Sequence, residues 1–153
     1  MKSFQSQPVS AGLQYVGEPG RPRQFTRVCL VAIVGGSGSG KTFLAERLRH
    51  ALGGNAAHVS LDDFYRDRSH LSPGRRERLN FDYPGAIDWL CFENILQRLR
   101  RGRAAKAPRY DFATHSRQRE LRKVEPAPVI LVDGRWLLRR PSRRRLFDLS
   151  IFL

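Results

Sequence analysis

One eight-residue stretch restricts what this chain can fold into more than any other: Gly35-Gly36-Ser37-Gly38-Ser39-Gly40-Lys41-Thr42. It fits the template G-x-x-x-x-G-K-[ST] at every required position. The apolar run Val28 to Val34 leads into it as a buried strand, and a helical pattern with Leu44, Leu48, Ala51 and Leu52 on one face follows, stopped by Gly53-Gly54. Strand, glycine loop and helix form one supersecondary unit built around phosphate. The physics accounts for the residue types. Polyphosphate needs converging donors, and backbone N–H groups at a helix start supply them. Glycines let that backbone curl without Cβ clashes. Lys41 brings a point charge to the outer phosphates, and the Thr42 hydroxyl suits Mg²⁺, a hard cation that prefers oxygen. The competing reading is a flexible Gly/Ser linker before a lysine; the flanking strand and helix argue against it.

Two further carboxylates sit where such a unit would use them. Ala57 to Leu61 reads as a short second strand that runs into Asp62-Asp63-Phe64-Tyr65, and Val129 to Val132 as a third that runs into Asp133-Gly134. Leu149 to Leu153 is a fourth apolar run, preceded by a short basic helix around 141–146. Fully apolar strands alternating with helices indicate an α/β architecture, a mostly parallel sheet covered on both faces. Ligands bind such sheets beyond the C-terminal strand ends. The glycine loop, Asp62 and Asp133 all fall at those ends. Asp133 there can help hold Mg²⁺, or it can be an acid that merely caps a strand. Asp62 can take a proton from an acceptor hydroxyl, or it can cap a helix; for Asp63 the structural reading is the better one.

Between these strands, residues 66–80 are polar and arginine-rich with a Pro73-Gly74 turn signal, and read as a mobile surface segment. A helix is predicted from Asp88 to Arg101, with Phe92, Ile95, Leu96 and Leu99 on one face and Gly102 as its end. Ala107 to Phe112 and Glu120 to Val124 suggest a hairpin around a polar turn.

Composition bounds the rest. A chain of 153 residues with 41% hydrophobic content is one domain with a real core. No run approaches the roughly 18 apolar residues of a membrane span. Residues 1–24 are polar, rich in Pro and Gly, and read as a disordered leader before a domain over 25–153. Cys29 and Cys91 make neither a disulfide framework nor a metal cluster, and read as free thiols of a reducing cytoplasm. The net charge of +14 raises nucleic-acid binding. The arginines are scattered, without the interleaved aromatics of a base-stacking surface, so a polyanionic small molecule is the better partner. Nothing indicates a membrane partner, and a homo-oligomer is compatible with everything above.

Six segments in this order and spacing, GGSGSGKT (35–42), SLDDFYRD (60–67), NFDYPGAIDW (80–89), PRYDFATHSR (108–117), VILVDG (129–134) and LFDLSIFL (146–153), resemble the uridine kinase (uridine–cytidine kinase) family. The resemblance covers Val28 to Leu153. It implies a P-loop NTPase kinase fold with an inserted substrate hairpin and sheet order second-third-first-fourth. It implies transfer of phosphate from ATP or GTP, with Mg²⁺, to the 5′-hydroxyl of uridine or cytidine. Asp62 would be the general base beside Lys41, and Thr42 and Asp133 would hold the metal. Tyr65 would lie near the acceptor, and Asp82 would bind ribose hydroxyls. Tyr110, Phe112 and His115 would enclose the base, with Arg117 close by. Read without the resemblance, Tyr110 and Phe112 serve equally as core aromatics and His115 as a hairpin surface residue.

The chain departs from the family pattern in three places. Tyr83-Pro84-Gly85 stands where His-Pro-Asp is usual, Asp133 where Glu is usual, and relatives add an arginine-bearing lid and a closing helix beyond the run at 149–153. The resemblance therefore implies a shortened kinase with an exposed apolar edge. Its rivals are a kinase of the same broad family for another small alcohol, and a nucleotide-binding module without catalysis.

Overall fold

The computed structural model describes residues 27–153; the expected leader over 1–24 lies outside them. Four strands form a single parallel sheet: β1 (Cys29–Val34), β2 (Ala56–Ser60), β7 (Val129–Asp133) and β8 (Leu149–Phe152), in the order β2-β7-β1-β8. This is the expected order, second-third-first-fourth. The near-continuous apolar character of β1 and β7 follows from burial on both faces. Successive side chains alternate: Leu30, Ala32, Ile130 and Val132 join one core cluster, and Val31, Ile33 and Leu131 the other.

Helix α1 (Lys41–Leu52) covers the second face through Ala45, Leu44 and Leu48. Its predicted stripe holds at Leu44 and Leu48 only. Ala51 and Leu52 remain exposed, because the last turn does not pack on the sheet. Helix α3 (Trp89–Arg100) covers the first face with Phe92, Ile95, Leu96 and Leu99, all buried, as the 3.6-residue period requires. The Asp88 carboxylate caps it by accepting the Cys91 N–H at 3.2 Å, and Gly102 closes it at φ 69°. Each of the fully buried large side chains contributes about 1.5–3 kcal/mol by leaving water.

Two small ladders hang from this body. β3 (Ala105–Ala107) pairs antiparallel with β6 (Arg122–Val124), and β4 (Tyr110–Asp111) with β5 (Ser116–Arg117). The predicted hairpin is therefore broken in two, and its inner returning strand lies at 116–117 rather than 120–124. Pro108, which has no N–H to donate, separates β3 from β4. The segment over 66–80 carries a short helix, α2 (Pro73–Glu77), and the basic helix α4 (Pro141–Arg144) precedes β8. Cys29 and Cys91 are free and half-buried, and burial raises both thiols above their ordinary range. Among the described residues no helix is long and apolar enough to cross a membrane.

Candidate active site

Parallel register brings the chemistry to one edge. Ile33 of β1 and Ser60 of β2 both align with Asp133 of β7, so the glycine loop, the turn after β2 and the end of β7 share a level. Gly134 makes this approach feasible: a Cβ there would stand 2.5 Å from the Leu61 Cβ. The loop itself turns through Gly38 and Gly40 at φ 73° and 87°, left-handed values that favour glycine. Lys41 begins α1 and folds back over the loop, donating from Nζ to the Gly36 carbonyl at 2.5 Å; it is 9% exposed. The Ser39 hydroxyl is buried in the loop without a partner.

Asp133 is buried and held from two sides. Its Oδ2 accepts from the Thr42 hydroxyl at 2.7 Å, and its Oδ1 lies 2.7 Å from His58 Nε2. The other ring nitrogen of His58 lies 2.9 Å from Glu46 of α1. A neutral imidazole carries one N–H, so two carboxylates on one ring favour the cation. Burial opposes that charge, but Asp133 and then Glu46 outweigh it and raise the His58 pKa. Burial likewise works against ionised Asp133, and its bonds to His58 and Thr42 overcome this, holding its pKa low.

Asp62 lies in the 3₁₀ turn Leu61–Phe64, with Ser60 accepting its backbone N–H. Solvent reaches the side chain, yet protein crowds its carboxyl. This desolvation raises the pKa first and the charge of Asp133 raises it further; Lys41 opposes and Asp63 adds. Asp63 pairs with Arg122 at 3.4 Å and so ties the turn to β6, in keeping with a structural role.

The far wall is aromatic. Tyr65 contacts Phe81, Tyr110 and Phe112 at centroid distances of 5.9, 5.2 and 5.9 Å, and His115 stacks on Phe81 at 4.6 Å. Asp82 is exposed and ion-paired with Arg135. Arg117 gives its side chain to the fold: it donates to the carbonyls of Tyr65 and Phe64 and to Asp88, joining the hairpin to the turn after β2 and to the cap of α3. Sequence reasoning missed His58, Glu46, Phe81 and Arg135. A histidine inside an otherwise apolar strand, a phenylalanine beside Asp82 and an arginine after Asp133-Gly134 were the available signals.

A parallel sheet whose first strand feeds a glycine loop and helix, with carboxylates ending the second and third strands in chain order, defines a P-loop kinase fold. A model of the phosphoribulokinase / uridine kinase family matches residues 30–153. The chain belongs to that family. Uridine kinase from Clostridium perfringens is 35% identical over 128 residues, covering 83% of this chain and 62% of the relative. Uridine kinase from Brevibacillus brevis is 38% identical over 125 residues, covering 81% and 58%. A solved structure described as a possible uridine kinase from Bacillus stearothermophilus superimposes with a TM-score of 0.66 at 25% identity, covering 84% of this chain and 72% of that one. The chain thus spans about 60% of the length of these curated relatives.

Proposed function

We propose that this chain carries the nucleotide and acceptor sites of a nucleoside kinase that transfers the γ-phosphate of ATP or GTP to the 5′-hydroxyl of uridine or cytidine. The observation that carries the reading is the Thr42–Asp133 pair at 2.7 Å beside the glycine loop, with Asp62 between it and an aromatic wall. Lys41 and the loop N–H groups bind and orient the polyphosphate, and the unpartnered Ser39 hydroxyl gains an acceptor there. The oxygen-only pair Thr42 and Asp133 fits Mg²⁺, which takes few protein ligands and completes its shell with phosphate and water. When bound, the metal would neutralise charge developing on the phosphates.

Asp62 takes the proton from the acceptor hydroxyl at its carboxylate, and its raised pKa brings it nearer the pH at which a base works best. Tyr65, Tyr110, Phe112 and His115 exclude water and enclose the base; Asp82 accepts from ribose hydroxyls after exchanging Arg135 for them. Arg117 holds the hairpin to the body rather than touching the acceptor. Residues 25–153 form the kinase domain. Uridine kinases among the relatives support the nucleoside acceptor.

The test is binding first and transfer second. Lys41→Ala should lose Mg·ATP affinity by at least about tenfold while melting as wild type does. A panel of uridine, cytidine, a sugar phosphate and pantothenate as acceptors then decides the substrate class. Preference for a non-nucleoside overturns the acceptor reading, and an unchanged ATP affinity in folded Lys41→Ala overturns the site.

A further inference from the structure

Among the described residues four buried side-chain polar atoms have no hydrogen-bond partner. One is the Ser39 hydroxyl in the glycine loop. The other three gather on the acceptor side: the Tyr110 hydroxyl, Nδ1 of His115 and Nε of Arg76. An unpaired buried donor or acceptor is destabilising, and folded proteins keep few of them. Three together, beside five aromatic rings, mark a place where a ligand supplies the partners. Tyr110 is only 7% exposed. His115 is the one non-glycine described residue with positive φ, at 49°, so the hairpin backbone is bent to hold its ring against Phe81.

Arg76 is the unexpected member. It comes from α2, in the arginine-rich segment to which neither the motifs nor the proposed chemistry gives a role. Its Nη1 donates to the carbonyl of Thr114 at 2.8 Å, the residue before His115, which pins the guanidinium against the hairpin tip. Nε is left buried and free. The three orphaned atoms differ in what they accept. A tyrosine hydroxyl rotates to donate or accept, and a neutral imidazole nitrogen can do either according to tautomer. A guanidinium N–H can only donate. Tyr110 and His115 therefore tolerate either pyrimidine, and Arg76 does not. Uracil carries a carbonyl acceptor at position 4, whereas cytosine carries an amino donor there. A donor facing the amino group leaves two buried N–H groups unpaired.

We propose that Arg76 reads the 4-position of the base through its free Nε–H and makes the site select uridine over cytidine. The inference rests on the nucleoside reading above and deepens it. The rings of Phe81 and His115 already touch, so the base stacks on the open side of the cluster, where Phe112 is 55% exposed. A site built to hydrogen-bond a substrate carbonyl rejects the analogue lacking it more strongly than an apolar pocket does.

Calorimetric titration of the whole chain with uridine, cytidine and the riboside of pyrimidin-2-one, which has no 4-substituent, tests this. Uridine should bind at least about tenfold tighter than either of the others. In Arg76→Met, uridine affinity should fall to that of cytidine while cytidine affinity holds or improves. Equal affinity of wild type for uridine and the pyrimidin-2-one riboside overturns the role of Arg76, and that comparison needs no folded variant. An unchanged uridine-to-cytidine ratio in folded Arg76→Met overturns it too. If Mg·ATP binds and none of the three ribosides does, the nucleoside reading itself fails, and with it this one.

Discussion

Asp62 and Asp133, brought to the same loop by the fold, meet different surroundings, and these push their pKa values in opposite directions. Asp133, gripped by Thr42 and His58, is held toward the ionised form, which suits the metal role proposed for it; Asp62, crowded by protein and by the charge of Asp133, is pushed toward holding a proton. Asp62→Asn should leave Mg·ATP affinity nearly intact and slow single-turnover transfer by about 10²–10⁴-fold, the usual worth of a positioned base. A rate within a few fold of wild type would return Asp62 to a structural role. His58 gives a separate prediction for stability. Its folded pKa is raised, so its contribution is complete below the ordinary value of 6.5 and fades as pH rises through the folded value. Asp133 mirrors this: its pKa is lowered, so its contribution is complete above 3.8 and fades as pH falls through the folded value. Thermal melting across pH should therefore show a loss of stability above the histidine range that His58→Gln lacks.

The elements matter here for how closely their ends approach. The turn after β2 and the end of β7 touch because Gly134 has no side chain, with Leu61 occupying the space a Cβ would need and Leu137 lying beyond. Gly134→Ala must push Leu61 aside. The expected cost is about 1–3 kcal/mol, as for other overpacked sites. The displaced turn carries Asp62, so transfer should slow more than the drop in melting temperature explains. A variant that melts and reacts like wild type would mean that the turn has slack. The α2 and hairpin elements are held by arginines in the same manner: Arg117 ties β5 to the turn and to the cap of α3, and Arg76 ties α2 to the hairpin tip.

At the scale of the molecule, much of the positive charge is built into the fold. Arg143 is buried, pairs with Glu93 at 2.8 Å and lies 3.7 Å over the Trp89 ring; Arg100 bonds Asp148 and the Leu146 carbonyl. The basic run before β8 thus fastens α4 to α3. The sheet's edge at β8 is a different matter. Leu149, Phe152 and Leu153 are more than half exposed, and Phe43 of α1 is 71% exposed. Among the described residues β8 is an edge strand with one side open, and an open edge bearing apolar side chains invites association. Phe152→Lys should lower the apparent mass in light scattering at high protein concentration while shifting the melting temperature by only a few degrees, as exposed substitutions do. Scattering that does not change would place the association, if any, elsewhere.

Local pattern alone determined the four strands of the parallel sheet, the glycine loop, helix α3 with its stop, and the placement of three chemical groups at or just past strand ends, because each is written within a window of a few residues. Tertiary structure decided which polar atoms find partners. Thr42 meets Asp133 across 91 residues, His58 meets Asp133 across 75, and Arg76 meets Thr114 across 38. No periodicity encodes such pairs. The hairpin shows the same limit, since its register depends on where Pro108 breaks the ladder and on how Arg117 anchors the return. Hydrophobic repeats specify a face; only the folded chain specifies which buried polar atoms are hydrogen-bonded and which, like the Tyr110 hydroxyl and Nε of Arg76, are not.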